Sequence, residues 1–261
     1  MLLDERRRKI LEVIERNGFI SINALGSQLP ASESTLRRDL EYLDRIGQIR
    51  RTRGGAAYVG DSLRAYEDRI AVAAPEKRSI GQAMANLIAP GETVLLDGGT
   101  TTFEVARALA GKSLQIVTNS LPIASLLMNR PEIELIFLGG YLYPKTGVTL
   151  GPIAVNSLTG IRANRLVMSV GGITEEGLFN TNSLLVETEQ RKIESAEEVC
   201  VVSDSGKLGK AALAKIAPLS VVHHLITDRR IPQSWRGHLA EQNIQLTISE
   251  PTPNDSSARH G

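Results

Sequence analysis

The stretch VLLDGGTTTFEVARAL, residues 94–109, decides the fold. An apolar strand ends at Asp97, two glycines (Gly98, Gly99) turn the chain, and three threonines (Thr100, Thr101, Thr102) open a helix. Six more short apolar runs follow with the same texture: LQIVTNS (114–120), IELIFLGG (133–140), RLVMSVGG (165–172), EVCVVSD (198–204), HLITD (224–228) and IQLTIS (244–249). Most are separated by enough chain for a crossover helix. Strands apolar on both faces that alternate with helices predict an α/β domain built on a mostly parallel sheet covered on both sides.

The carboxyl ends of these strands are small, polar or charged: Asp97 to Thr102, Thr118-Asn119-Ser120, Gly139-Gly140, Gly171-Gly172, Asp204 to Lys207, Thr227-Asp228. Ligands of open α/β sheets bind just beyond such ends. Free N–H groups and the positive dipole end at a helix start favour an anion, and Thr hydroxyls add donors. No Gly-Lys-Thr follows, so the pattern is not that of a nucleoside triphosphate site. Lys207 is placed to neutralise the same anion. A lone Gly-Gly-Thr-Thr is equally an ordinary capped turn; the five other polar strand ends favour a site.

Upstream, residues 1–57 read as three short helices and a hairpin. Ile10, Leu11, Val13 and Ile14 give the first helix (about 4–17) an inward stripe, and Asn17-Gly18 stops it. Ser21 caps a second helix through Leu29, Pro30 breaks the chain, and Ser32 caps a third at about 33–46, ended by Gly47. Leu36, Leu40 and Leu43 form the apolar back of that third helix, while Ser34, Arg38, Glu41 and Arg45 point the opposite way and Arg37 lies on the flank. Small hydroxyls at its first turn (Ser32, Ser34, Thr35) suit close approach to phosphate or base edges. Arg38 has the geometry for a bidentate guanine contact. Arg50, Arg51 and Arg53 then sit on a Gly-Gly hairpin suited to lie along a phosphate backbone. Three-helix units with solvated arginines are common, so the order of features, rather than any one of them, points to double-stranded DNA.

Residues 5–57, through RRRKILEVIERNG and ASESTLRRDLEYLDRIGQIRRTRGGA, resemble the N-terminal winged helix-turn-helix of the DeoR family of bacterial sugar-metabolism repressors. The resemblance continues over about 76–249 through LDGGTTTFEVARAL, IVTNSLPIA, LIFLGGYLYPKTGVTLGP, VGGITEEGLFN, VVSDSGKLGK and LITD. It implies an effector domain similar in fold to ribose-5-phosphate isomerases, a phosphorylated sugar as inducer, and a homo-oligomer (dimer or tetramer) on paired operator sites. The ligand residues it implies are Asp97, Gly98, Gly99, Thr100, Thr101, Thr102, Asn119, Gly140, Gly172 and Lys207, with Glu187 as a carboxylate for a sugar hydroxyl. The chain departs from the family at Arg53, where His is usual, at Ala31 before Ser32, at Asn164-Arg165 and at Gly206.

Composition sets the outer bounds. With 261 residues, 42% hydrophobic and 23% charged, the chain can bury a sizeable core, which excludes global disorder. Residues 1–57 carry 11 Lys/Arg against 8 Asp/Glu and the remainder 19 against 21, a modest basic excess at the DNA-reading end. The single cysteine, Cys200, reads as an inert core thiol. No signal-peptide pattern or run near ~20 apolar residues occurs, so a cytoplasmic protein with no membrane partner is expected. Residues 58–75 read as a linker with a helix closing at Pro75, 76–249 as the sensing domain and 250–261 as a frayed tail. No cofactor and no metal are expected, since the four histidines lack metal-ligand spacing. Two alternatives stay open: a sugar-phosphate isomerase with a regulatory head, for which Asp97, Glu187, Asp204 or Asp228 is a candidate base, and an activator.

Overall fold

A computed structural model describes residues 3–17, 19–45, 48–52, 54–58 and 66–250. The head comprises α1 (Leu3–Asn17), β1 (Phe19–Ser21), α2 (Ile22–Gln28), α3 (Glu33–Arg45), β2 (Ile49–Thr52) and β3 (Gly55–Tyr58). Each cap has a visible cause. Asn17 Nδ2 donates to the Val13 carbonyl at 2.6 Å, closing α1. Ser21 Oγ accepts from Ala24 N at 3.2 Å, and Ser32 Oγ accepts from Thr35 N at 3.3 Å. Ile10, Ile14, Leu25, Leu36, Leu40 and Leu43 bury one core. The three-residue strand β1, absent from the sequence reading, pairs antiparallel with β3, giving a sheet in the order β1-β3-β2. Arg53, Gly18, Gly47 and the tail from 251 lie outside the described residues.

Next come α4 (Tyr66–Ala71), α5 (Ala74–Leu87), β4 (Thr93–Leu96), α6 (Thr100–Leu109), β5 (Leu114–Thr118), α7 (Leu121–Leu127) and β6 (Ile133–Phe137). After them come β7 (Tyr141–Tyr143), β8 (Val148–Leu150), α8 (Pro152–Ser157), β9 (Ala163–Met168), β10 (Gly172–Thr174) and β11 (Gly177–Asn180). The chain finishes with α9 (Ser183–Glu194), β12 (Ala196–Val202), β13 (Ala214–Ala217), β14 (His224–Asp228), α10 (Gln233–Glu241) and β15 (Gln245–Ser249). Pro75, read from sequence as closing a linker helix, instead lies in the first turn of α5, where its missing N–H costs nothing.

All seven runs named above are strands of one parallel sheet, in the order β15-β14-β12-β9-β4-β5-β6. Alternate residues feed opposite faces. Val94 and Leu96 join Ile80, Met84, Val105 and Ile123 of α5, α6 and α7, whereas Leu95 joins Leu166, Val201, Leu225 and Leu239 on the other side. This is why the inner runs are largely apolar on both faces. The sequence reading did not include the β7–β8 hairpin or the antiparallel sheet β10-β11-β13.

The strands' amino ends are tied by charge. Arg165 on β9 pairs with Glu92 before β4 at 2.8 Å and with Glu198 on β12 at 2.9 Å. Asn164 Oδ1 accepts from Thr93 N at 2.9 Å. The Asn-Arg departure from the family pattern therefore sits at the end of the sheet opposite its polar strand ends. Cys200 is fully buried, and burial pushes its thiol up to about 12.

Candidate functional site

Sheet order reverses between β4 and β9, since the chain runs outward from β4 through β5 and β6, then returns to β9 on the other side. A cavity of about 240 Å³ opens at that switch point, beyond the carboxyl ends of the strands. Asp97, Gly98 and Thr100 line it from the β4–α6 turn, Asn119 from the end of β5, and Ser169 to Gly171 from the end of β9. Asp204, Gly206 and Lys207 line it after β12.

Local sequence dictates this turn. Gly99 precedes α6, which has no side-chain cap, so the first N–H groups of the helix are left for another acceptor. A Cβ on Gly98 would lie 2.1 Å from Val148 Cγ1, and one on Gly99 2.3 Å from Ser169 Oγ. Only glycine allows the hairpin and β9 to approach this closely. Lys207 sits in a short 3-10 turn (Ser205–Lys207), and its Nζ donates to the Val170 carbonyl at 2.8 Å. Asp228 fixes that turn by accepting from Ser205 N at 2.7 Å and Ser205 Oγ at 2.9 Å. Burial alone would raise the Asp228 pKa, but these bonds and those from Arg230 outweigh it and hold the carboxyl below its ordinary value.

The remaining lining comes from places the sequence reading did not weigh. Helix α9 contributes Leu185, Thr188, Glu189 and Lys192; the loop between β7 and β8 contributes Thr146; Arg69, Val72 and Lys77 come from α4, the turn after it and α5. Lys192 Nζ is buried between two acceptors, donating to Asp97 Oδ1 and, at 2.7 Å, to Asn119 Oδ1. Glu189 Oε1 accepts from Asn180 Nδ2 at 2.5 Å. Burial, reinforced by the Asp97 carboxylate and only partly opposed by Lys192 and Asn180, pushes the Glu189 carboxyl up to about 8. The ionisable lining is thus cationic in balance: Arg69, Lys77, Lys192, Lys207 and Lys210 against Asp97, Asp204 and a carboxyl that keeps its proton near neutrality.

Several expected ligand residues are placed elsewhere. Thr101 and Thr102 are buried and do not line the cavity, and Thr102 Oγ1 donates to the Gly99 carbonyl at 3.1 Å. One threonine of the three, Thr100, faces the space. Gly99 is outside the lining but makes the turn possible. Gly140, at φ +140°, packs on the Leu150 carbonyl, and Gly172 on that of Lys210; neither lines the cavity. Glu187 is exposed on the outer side of α9. Two residues further on, about 200° around the helix, Glu189 is the carboxyl that reaches the cavity.

In the head, Ser32, Ser34, Arg37, Arg38, Glu41 and Arg45 are exposed along one side of α3, with Thr35 half-buried. Ser32 Oγ lies 3.0 Å from Ser34 Oγ and 2.8 Å from Thr35 Oγ1. Arg37 pairs with Glu33 at 2.5 Å, and Arg45 lies over the Tyr42 ring, 5.6 Å from its centroid. Arg51 is exposed at 4.0 Å from Glu41. Arg38 has no hydrogen bond or ion pair among the described residues. Arg50 lies on β2. Beneath α3, Asp39 is buried and accepts from Arg6 Nε at 2.6 Å and Arg7 Nε at 3.1 Å, tying α1 to α3. In the sequence, these arginines look like part of a solvated basic run.

The fold and these surfaces define a two-part transcription regulator: a helix-turn-helix head, and an α/β domain with an internal cavity. The DeoR-like helix-turn-helix domain matches residues 6–61, and the DeoR C terminal sensor domain matches residues 72–229. The chain belongs to the DeoR family of DNA-binding transcriptional regulators. It is 32% identical to the glycerol-3-phosphate regulon repressor of Escherichia coli (strain K12), covering 94% of this chain and 98% of that protein. It is 30% identical to the HTH-type transcriptional repressor GlcR of Bacillus subtilis (strain 168), covering 96% and 98%. These relatives are named as repressors, not enzymes. Among solved structures, ribose 5-phosphate isomerase A from Neisseria gonorrhoeae is 14% identical over 51% of this chain and 52% of that one, with a TM-score of 0.37. The eIF2B beta chain from Chaetomium thermophilum is 15% identical over 94% and 87%, with a TM-score of 0.45. Likenesses this slight do not bear on function. Among the described residues, no helix is long and apolar enough to cross a membrane, and no group of His, Cys, Asp and Glu is arranged to hold a metal.

Proposed function

We propose that the protein represses carbohydrate-metabolism genes and that a small phosphorylated sugar releases it from its operator. The observation that carries this reading is the cationic cavity at the switch point, with an uncapped helix start on one wall and Lys207 beside it. The phosphate is assigned to the first N–H groups of α6, Thr100 Oγ1 and Lys207. Asp97 and Asn119, fixed by Lys192, lie beside it. In the head, Arg38 reads a base edge, while Ser32, Ser34, Thr35, Arg37, Arg45, Arg50, Arg51 and Arg53 meet the phosphate backbone. Two heads in a homo-oligomer engage two half-sites. Effector binding favours a subunit arrangement that fits them poorly, with a coupling of about 1–3 kcal/mol.

The test is fluorescence anisotropy of the full chain on its own promoter DNA, with sugar phosphates added one at a time. One of them is expected to weaken binding about 5- to 150-fold. The log affinity without effector should fall with log salt at a slope of roughly −5 if each of two heads neutralises about three phosphates. A slope near zero, or DNA binding indifferent to every sugar phosphate that the protein binds, would refute the reading.

A further inference from the structure

The parallel sheet has two edges, and they differ. At one edge β15 alternates polar residues (Gln245, Thr247, Ser249) with apolar ones, and α5 and α10 pack against it. At the other edge β6 reads Ile133-Glu134-Leu135-Ile136-Phe137 and pairs in unbroken register with β5 alone. Its outer row of N–H and C=O groups meets no strand among the described residues. Natural edges are commonly blunted by Lys, Pro or a bulge, and β6 has none of the three.

Ile133 and Leu135 join the core beneath α7, so Phe137 lies on that face and Ile136 on the other. Both are exposed. The chain then passes Gly139 and Gly140 into the β7–β8 hairpin, which sets Tyr141 and Leu142 in solvent, 62% and 42% exposed. Ile153 on α8 is 66% exposed, and a Cβ on Gly139 would stand 4.0 Å from its Cγ2. Leu121 N donates to the Gly147 carbonyl at 2.8 Å, which holds the exposed Leu121 beside the hairpin. Of the twelve large apolar side chains exposed among the described residues, seven lie between 121 and 153, so the exposed apolar surface is concentrated at this edge.

Size and charge together identify what covers it. A large side chain buries roughly 150–250 Å² in full, so six of them about half-exposed present on the order of 500 Å². That is near the upper end of the ~300–600 Å² patch of a typical monomer. Two copies face to face would bury about 1,000 Å² before any polar rim, the floor for a specific interface. From 133 to 153 the charged residues are Glu134 and Lys145, both exposed. A nucleic acid needs a basic surface and a charged partner an unbalanced one; a patch with one charge of each sign suits itself. An edge strand is also self-complementary, since two copies related by a two-fold axis pair antiparallel and continue the sheet.

We propose that a second copy of this chain docks here, β6 against β6 across a two-fold axis, with the β7–β8 hairpins flanking the seam. This rests on the homo-oligomer reading given above and places its contact. The same hairpin turns Thr146 and Val148 into the cavity, and Val148 packs on Gly98 at the β4–α6 turn. One side of the hairpin thus faces the effector and the other faces the partner, which gives effector binding a direct route to the arrangement of subunits.

Sedimentation of the full chain tests this. The wild type should be a dimer or larger. Ile136→Lys sets like charges against each other across the seam and should raise the self-dissociation constant roughly 100-fold, halving the mass. Tyr141→Lys, at a more exposed position, should act in the same direction and reads the surface even if Ile136→Lys does not fold. The salt slope of operator binding should fall from roughly −5 to roughly −2.5 once the heads separate. Leu213→Lys, exposed outside this surface, should change neither mass nor slope. Cys200 is buried with its thiol pushed up to about 12, so a cysteine placed elsewhere is the reactive one. A short bis-maleimide should join Ile136→Cys chains in pairs and leave Leu213→Cys chains single. A wild-type oligomer whose mass survives both Ile136→Lys and Tyr141→Lys would overturn this surface and leave the homo-oligomer standing. Equal cross-linking at the two cysteines would overturn it as well. A wild-type chain that sediments as a monomer would overturn the homo-oligomer itself.

Discussion

The head and the sensing domain each gather positive charge, and they keep it in opposite ways. On α3 the cations stand in water: the Arg37 side chain is 57% exposed, and Arg38 has no partner among the described residues. At the switch point they are drawn inward: Lys77 and Lys192 are buried, Lys207 is half-buried, and Lys192 is already committed to Asp97 and Asn119. Exposed charge acts at a distance and is screened by salt, which suits a long polyanion met from solution. Enclosed charge acts at contact range and is selective by shape, which suits one small anion. The same residue types thus serve an extended partner in one place and a compact one in the other.

The contrast breaks most sharply at Asp39, the one buried charge of the head among the described residues. Asp39→Ala strands Arg6 and Arg7 and should destabilise the head by about 3–5 kcal/mol. Calorimetry should show an early transition for the head and an unshifted one for the sensing domain, with DNA binding lost. A single shifted transition would mean that the two units unfold together. Arg38→Ala should weaken operator binding by about 1–3 kcal/mol without changing effector affinity; an equal loss on random duplex would make Arg38 a phosphate contact. Glu189→Gln should raise stability relative to wild type at pH 8, and by more than at pH 5. In the native protein this carboxyl holds its proton up to about pH 8, whereas the unfolded chain releases it at the ordinary carboxylate pKa. Wild-type stability therefore declines as pH climbs through that window, and the advantage of the amide grows with it. Thermal melts of both proteins at pH 5 and pH 8 that differ by a constant amount would contradict this. The smallest effect belongs to Arg37→Ala, whose exposed pair with Glu33 contributes about 0.3–0.5 kcal/mol to folding. A larger loss of head stability would show that Arg37 packs rather than waits for DNA.

The parallel sheet was readable from sequence because its inner strands are largely apolar on both faces, a pattern few other elements share. The small antiparallel pieces were not. Strands β7 (YLY) and β10 (GIT) have three residues each, too few for an alternation to register. The cavity divides along the same line. Asp97, Gly98, Thr100, Asn119 and Lys207 follow strands directly, so a rule about strand ends finds them. Thr188, Glu189 and Lys192 lie on a helix, and their role emerges only once the inward face of α9 is known. A signal was present nonetheless. Leu185, Thr188, Glu189 and Lys192 fall at i, i+3, i+4 and i+7, the spacing of a core-facing stripe, and three of those four places are polar. Glu187 drew attention through family resemblance, but its position on the helix turns it to solvent. Arg6 and Arg7 were hidden differently, since a basic run gives no sign that a buried carboxylate waits thirty residues away.

The Arg165 network has a consequence for descent. It ties β4, β9 and β12 at their amino ends, and no residue of it lines the cavity at the far end of the same strands. Substitutions at the carboxyl ends leave that tie untouched. A duplicated gene can drift at a handful of loop and helix positions, acquire a taste for a different metabolite, and inherit the scaffold and its operator-reading head unaltered.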